Sequence, residues 1–384
     1  MSDSPNRGRP MSPLPPSSGR DEFADALHAM LGAADVPAAA RSWAAGDLAP
    51  GRELWGRLAT LGVTALAVPE KWGGLGAGPA DLATACEELG HHAVPGPVAE
   101  SIAAVPTLLA ALDGTNTCGE WLSGLATGDL IATLAMPPWL PFAADAEVAG
   151  LVLLAGGDVV WTGRAGASQR SVDLARSVTP VTRQEALAHG ARAAVARAFA
   201  LGALACSAQL LGAGRALLEM SVGHARVRTQ FGQPIGAFQA VKHKLADVAI
   251  ALEFARPLLD AAAAAIADDA ATAARDISAA KVACGDAASL AARAALQVHG
   301  AIGYTAEHDL SLWLTKVRAL VPAWGSQAEH RRRVTAALTT RPTSSARASS
   351  SPASSSGTSS SPASSSPASA PSPVPARRRE LPWT

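Results

Sequence analysis

Hydrophobic residues recur at helical spacing in the N-terminal and C-terminal parts of this chain. Short runs typical of strands occur only in the part between them. Near the N-terminus, apolar side chains mark one face of a helix at Phe23, Ala26, Leu27, Met30 and Leu31. A longer series with steps of three and four residues follows in the second half, at Val241, Leu245, Val248, Leu252, Ala255, Leu259, Ala262 and Ile266. Short apolar or β-branched runs lie between them, at residues 130–135, 151–154 and 159–161. The pattern predicts a mostly α chain in which a small β region precedes a C-terminal four-helix bundle.

Composition separates the folded part of the chain from two tails. Residues 1–20 are rich in Ser, Pro and Gly, and residues 341–384 form a Ser/Pro/Ala tail with few large apolar side chains. Such segments cannot offset their ordering entropy, so we predict that both are disordered. The rest divides into an N-terminal helical domain at 21–117, a β region at 118–190 and the helical bundle at 191–340.

The charge balance and the cysteine pattern exclude several classes of protein. The chain has 32 basic and 32 acidic residues, so no overall field recruits nucleic acid or an anionic membrane. The N-terminus lacks an apolar signal-peptide core, and no apolar run reaches membrane-spanning length without a charge or a helix breaker. The four cysteines lack C-x-x-C spacing and lie in apolar contexts, which predicts buried free thiols. We expect a cytoplasmic protein with no nucleic-acid partner, no membrane partner and no metal site.

Two short segments combine residue types that suit an anionic cofactor. Arg228 and Gln239 bracket a turn rich in Gly and Pro, R-T-Q-F-G-Q-P-I-G-A-F-Q, which opens a long amphipathic helix. Arginine pairs with phosphate oxygens, and a helix N-terminus favours an anion. In the second segment, Q-V-H-G-A-I-G-Y at residues 297–304, Gly300 and Gly303 let backbone amides approach phosphate. The plainer interpretation is a bundle turn in which glycine ends a helix and arginine forms a surface ion pair.

These segments, in this order, resemble signature blocks of the acyl-CoA dehydrogenase family. The glycine-rich loop V-P-E-K-W-G-G-L-G-A at residues 68–77 resembles the N-terminal domain of the same family. The resemblance implies the family's fold: an N-terminal helical domain, a β middle region that is shortened here, and a C-terminal four-helix bundle. It also implies FAD-dependent α,β-desaturation of an acyl-CoA thioester. The T-E-P flavin-contact motif of the family would fall at residues 135–139 and is absent.

The same resemblance assigns cofactor contacts residue by residue. Arg228 and Gln239 correspond to contacts with the diphosphate and adenylate part of FAD, and Phe231 belongs to the same cofactor-binding block. A second set corresponds to contacts made from a neighbouring subunit, at Gln297, Val298, His299, Gly300 and Ala301.

Neither of the family's usual positions for the catalytic base carries an acid. Desaturation needs a carboxylate to remove the α-proton of the thioester. The resemblance places that glutamate at Trp324 or, in a second subgroup, near Gly202. Glu307 and Glu329 are weak substitutes, because Glu307 suits the first turn of a helix and Glu329 suits an ion pair with Arg332 or Arg333. No catalytic residue is therefore assigned.

The chain resembles one subgroup in particular. Gly325 with E-H-R-R-R at 329–333, and T-A-E-H-D at 305–309, are similar to actinobacterial-type subunits that lack a base and pair with a complete subunit in a heterotetramer. This implies an acyl-CoA substrate, a homo- or hetero-tetramer and an electron-transfer acceptor protein. Two functions remain open: an enzyme subunit that desaturates acyl-CoA, or a catalytically inactive structural or regulatory partner of another acyl-CoA dehydrogenase. A helical interaction module of unrelated origin would require all the motifs to be coincidences.

Overall fold

The computed structural model describes residues 18–112, 116–305 and 308–339. Within these residues the chain is mostly α, as predicted, and nearly all of the two predicted tails lies outside them. Six α-helices precede the first strand: α1 Ser18–Ala33, α2 Val36–Ala45, α3 Ala49–Thr60, α4 Pro79–His91, α5 Val105–Ala111 and α6 Asn116–Thr127. A short 3₁₀ helix at Glu70–Trp72 and a π-helix at Ala99–Ala104 lie among them. The glycine-rich loop lies between α3 and α4, where the sequence predicts a loop.

Helix α6 extends the helical part beyond residue 117, where we expected the β region to begin. Its apolar residues explain the difference. Cys118, Leu122 and Leu125 are buried and follow steps of four and three residues, which is a helical repeat. The first strand begins at Ala132.

Seven strands form two small sheets between α6 and the bundle. They are β1 Ala132–Ala135, β2 Ala143–Ala144, β3 Leu151–Gly156, β4 Val159–Ala165, β5 Gln169–Arg170, β6 Ser177–Thr179 and β7 Val181–Ala188. The larger sheet has the order β1-β3-β4-β7, with β1 and β3 parallel and the other pairs antiparallel. The smaller sheet has the order β2-β6-β5.

Long helices joined by short connections form the second half. They are α7 Arg192–Val227, α8 Gln239–Ala267, α9 Ala273–His299, α10 Leu310–Leu320 and α11 Gln327–Thr339, and a hairpin of β8 Thr229–Gln230 and β9 Gln233–Pro234 joins α7 to α8. Short connections make consecutive helices antiparallel, so α7 and α9 run in the same direction. Helix α7 is long and apolar enough to cross a membrane, but 78% of its apolar window is buried inside the structure, as in a core helix. All four cysteines are free and buried, as predicted.

Helices α4 and α7 touch through their backbones, which joins the N-terminal helices to the bundle. A Cβ atom built on Gly212 would lie 1.9 Å from the carbonyl oxygen of Glu87. A Cβ atom on Gly90 would lie 2.2 Å from the carbonyl oxygen of Gln209. Glycine at both points is therefore what allows the close approach of the two helices.

The Gly212→Ala variant tests this contact. We expect it to lower the free energy of unfolding by about 1–3 kcal/mol, because the added methyl group meets backbone. Gly223→Ala, in the same helix, is the control, since a Cβ atom there meets nothing within 4 Å. It should raise stability by about 0.5–1 kcal/mol through helix propensity. Denaturant unfolding measures both, and equal effects would contradict the close packing of α4 and α7.

Candidate functional site

Two residues that lie far apart in the sequence, Trp324 and Gly202, meet in the interior. Trp324 follows α10 and is fully buried, and Gly202 lies near the start of α7. A Cβ atom built on Gly202 would lie 2.3 Å from Cη2 and Cζ3 of the Trp324 indole. Any larger residue on α7 at this point would overlap the ring. The two positions at which the resemblance places a glutamate thus face one space, and the indole fills it.

A left-handed backbone segment holds Trp324 in this place. Trp324 has φ +58° and Gly325 has φ +97°, and a bulky residue rarely adopts such a value. The Nε2–H group of His330 donates to the carbonyl oxygen of Trp324 at 2.8 Å. Burial lowers the pKa of His330 to about 4, so its ring is neutral at pH 7. The hydrogen bond between α11 and this segment therefore fixes the indole inward.

Aromatic rings continue from Trp324 towards the β region. The ring of Phe199 lies 6.1 Å from that of Trp324 and 5.9 Å from that of Trp139, measured between centroids. The guanidinium of Arg333 lies 5.0 Å from the Phe199 centroid and 5.7 Å from the Trp139 centroid, within the range of cation–π attraction. The rings of Trp324, Phe199 and Trp139 form one continuous apolar cluster, here called the plug.

The plug borders a cavity of about 780 Å³ between the β region and the bundle. Residues 136–139, next to β1, line it together with the ends of α7, α8 and α9. This is the segment where the family's flavin-contact motif was expected. The only carboxylate among its described lining residues is Asp269, whose side chain is 89% exposed and pairs with Arg197 at 2.9 Å. No described carboxylate is buried against the cavity.

Glu329, one of the two substitute bases, does not supply a carboxylate to this cavity. Glu329 forms an ion pair with Arg332 in the first turn of α11, which matches the plainer interpretation of this residue. Its backbone N–H donates to the hydroxyl of Ser326. Glu307 lies outside the described residues.

The first set of predicted cofactor residues lies at the other end of α7. Arg228 follows the last turn of this helix and is exposed. Phe231 is 91% exposed with φ +53° in the hairpin turn, and its ring lies 6.1 Å from that of Phe238. Gln239 is exposed at the first residue of α8. The three residues therefore lie along the hairpin connection that leads from α7 into α8, and all three are exposed to solvent.

The second set lies at the end of α9. Gln297 and Ala301 are exposed, and Val298 is half-buried. His299 is buried, with its Nδ1 atom 2.8 Å from the carbonyl oxygen of Ala295. Gly300 has φ +66°, whereas Ala301 does not have a positive φ. Alanine at this position therefore carries no backbone strain.

A pair of stacked histidines joins the two sets. The ring of His224, one turn before Arg228, stacks on that of His299 with 4.3 Å between centroids. Burial lowers the pKa of both imidazoles, and the two rings lower that of His224 further by mutual repulsion. Neutral rings can stack without charge repulsion at pH 7. All eight predicted cofactor residues therefore gather at one end of the bundle.

The end of the bundle that carries the predicted cofactor residues is far from the plug. Along α7, Gly202 and Arg228 are separated by about 39 Å at the helical rise of 1.5 Å per residue. This is longer than an extended dinucleotide. One FAD molecule bound at Arg228 therefore does not reach the cavity beside Phe199 and Trp139 of the same chain.

The sequence did not predict three residues of this region: Phe199, whose ring lies in the plug, and His330 and Arg333, which contact the plug from α11. Phe199 and Gly202 are three residues apart and share a face of α7, which is a signal that the sequence contains. No comparable signal connects α11 to them, because that contact depends on the left-handed turn at Trp324 and Gly325.

Comparisons with known proteins cover nearly all of the described chain. Residues 18–129 match the acyl-CoA dehydrogenase N-terminal domain, and residues 188–339 match the acyl-CoA dehydrogenase C-terminal domain. The acyl-CoA dehydrogenase IpdE2 of Mycobacterium tuberculosis is 30% identical over 84% of this chain and 98% of its own length.

Two solved structures share the fold at lower identity. A chain of the ChsE4–ChsE5 complex from Mycobacterium tuberculosis has a TM-score of 0.72 at 23% identity, covering 84% of this chain and 98% of its own. Butyryl-CoA dehydrogenase from Megasphaera elsdenii has a TM-score of 0.73 at 20% identity, covering 85% of this chain and 100% of its own.

A double-mutant cycle tests the contact between Gly202 and Trp324. Gly202→Ala alone should cost about 1–3 kcal/mol of stability, because its methyl group meets the indole. In a Trp324→Ala background, or in Trp324→Leu if the alanine variant does not fold, the same change should cost nothing, because the space is free. Gly223→Ala in the same backgrounds is the control and should be additive. Additivity at Gly202 would show that the two residues do not touch.

The pH dependence of stability tests the burial of His330. Its folded pKa of about 4 lies below the unfolded value near 6.5, so between these values only the unfolded chain takes up the proton. Lowering the pH from 7 to 5 should therefore destabilise the native protein more than the His330→Gln variant. Thermal unfolding at both pH values measures the difference. The control variant His243→Gln changes an exposed ring, so its loss of stability between pH 7 and pH 5 should equal that of the native protein. An equal loss in His330→Gln would contradict the burial of His330.

Proposed function

The chain belongs to the acyl-CoA dehydrogenase family, and we propose that it is one subunit of an FAD-dependent assembly that desaturates an acyl-CoA thioester. In this proposal the chain supplies the binding surface for the adenylate and diphosphate of FAD. A partner subunit supplies the carboxylate that removes the α-proton. The FAD, when bound, accepts the hydride from the β-carbon.

The observation that carries the proposal is the separation of the two ends of α7. The eight predicted cofactor residues, most of them exposed, lie at one end, while the position of the base is filled by Trp324 towards the other. Since about 39 Å separates them, the exposed end can only serve an FAD whose reactive ring lies against another chain. This chain shares its fold with a chain of the ChsE4–ChsE5 complex, and that likeness supports an FAD site shared between two different subunits.

The exposed end fits the charged part of FAD. Arg228 makes no ion pair within the described residues, so its guanidinium is available to pair with phosphate oxygens in a bidentate manner. Helix α8 begins at Gln239, at the same end of the bundle, and its first N–H groups favour an anion. The carboxamides of Gln239 and Gln297 can both donate and accept hydrogen bonds, which suits the adenylate. The exposed face of Phe231 offers an apolar surface next to them.

Trp324 also favours a second function, that of a catalytically inactive structural or regulatory partner of another acyl-CoA dehydrogenase. Tryptophan cannot accept a proton from carbon, and the plug fills the space in which an acyl chain would meet a base. In that case the chain would stabilise its partner without contributing to FAD binding. Both functions place the protein in the cytoplasm, and only the first requires an electron-transfer acceptor protein for turnover.

The visible spectrum of the purified protein separates these functions. The chain should be purified alone and together with a homologous subunit that has a glutamate at the position of Trp324. We expect no flavin absorbance from the chain alone, and flavin that is bleached by acyl-CoA in the complex. Bleaching in the isolated chain would overturn the proposal, because it would require a base within this chain.

The Arg228→Ala variant of the complex tests the role of the exposed end. Loss of a charge-assisted hydrogen bond should weaken FAD binding by about 10- to 100-fold. The control is Arg226→Ala, an exposed arginine in the same helical turn, which should leave FAD binding unchanged. Equal FAD content in the native complex and the Arg228→Ala complex would favour the structural partner instead.

A further inference from the structure

Three imidazoles and a carboxylate meet where α1 packs against the end of α4. His28 comes from α1, and Glu88, His91 and His92 come from the last turn of α4 and the residue after it. One ligand atom from each residue lies within 4.8 Å of the corresponding atoms of the other three. We propose that these four residues, here called the histidine cluster, form a binding site for a divalent transition-metal ion, with Zn²⁺ preferred.

The distances within the histidine cluster are those of donors that converge on one point. The Nδ1 atom of His28 lies 2.8 Å from Oε2 of Glu88 and 3.2 Å from Nε2 of His92. The three ring centroids are 4.7 to 5.1 Å apart. A tetrahedral Zn²⁺ with ligands at 2.0–2.1 Å needs donor atoms about 3.3 Å apart. Small side-chain rotations therefore suffice to place all four donors around one ion.

Neighbouring residues on α7 supply the outer contacts that metal sites use. Arg215 donates to Oε1 of Glu88 at 3.0 Å, which leaves Oε2 facing the imidazoles. Nε2 of His91 lies 2.9 Å from a carboxylate oxygen of Glu219. Nδ1 of His91 is buried and has no hydrogen-bond partner in the described residues. A metal ion on Nδ1 would give that nitrogen a partner, and Glu219 would orient the ring, as carboxylates commonly do for ligating histidines.

The donor set decides which metal is expected. Three imidazoles and one carboxylate suit Zn²⁺ and neighbouring transition metals, whereas Mg²⁺ and Ca²⁺ prefer oxygen ligands alone. Because the ligands come from α1 and from α4 with the residue after it, a bound ion would hold α1 against the end of α4 within the N-terminal domain. This site is independent of the proposed role in FAD binding.

Metal analysis of the untagged full chain tests the site. After treatment with EDTA, the protein should be dialysed against Zn²⁺ and its metal content measured, with thermal unfolding in parallel. We expect one Zn²⁺ per chain and a rise in the thermal midpoint that EDTA reverses. Glu219→Gln should weaken Zn²⁺ binding about 10- to 100-fold, and His28→Gln or His92→Gln should weaken it more.

The control and a second measurement make the outcome decisive. His243→Gln, which removes an exposed histidine outside the cluster, should keep full Zn²⁺ binding. Co²⁺ added to the native chain should give the intense visible bands of a tetrahedral site, so the proposal does not rest on variants that fail to fold. Sub-stoichiometric Zn²⁺, binding unaffected by His28→Gln and His92→Gln, or Co²⁺ without tetrahedral bands would each overturn it.

Discussion

The contact between Trp324 and Gly202 is the constraint on which the character of the site depends. The indole occupies the space that both possible base positions face, and glycine on α7 is what admits it. The left-handed backbone at Trp324 and Gly325, fixed by the hydrogen bond from His330, holds the ring there. A tryptophan in this conformation is unfavourable on its own, so the surrounding helices supply the stability that retains it. The result is a well-packed plug where related enzymes need an acid.

Helix α7 relates the plug to the rest of the molecule. Gly202, in its first half, packs against Trp324, and Gly212, near its middle, packs against the backbone of α4. Its last turn carries His224, which joins Arg228 to the end of α9. One rigid helix thus keeps an apolar, closed region and a polar, exposed region at a fixed distance. In the proposed assembly, that geometry lets a chain without a base present its predicted cofactor residues to a neighbouring subunit.

Much of the fold was predictable from the sequence, and less of the site was. The repeat at Val248, Leu252 and Leu259 predicts α8 because a buried helical stripe needs only local spacing. The predicted boundary between the N-terminal helical domain and the β region, at residue 117, lies inside α6. That helix is short, so its hydrophobic repeat covers only a few residues. The histidine cluster was missed, and the sequence predicted no metal site, because His28 lies 60 residues before Glu88 and only the packing of α1 on α4 joins them. Contacts of this kind depend on tertiary structure and leave no local pattern.

The ratio of FAD to protein in the purified complex tests the central claim most directly. If this chain contributes only the exposed end of α7, and Trp324 fills the position of its base, each pair of unlike subunits should contain one FAD. That value can be measured from the released cofactor and the concentration of each chain. Two FAD molecules per pair would contradict the account, because the second could bind only if the cavity beside Trp324 held a flavin of its own.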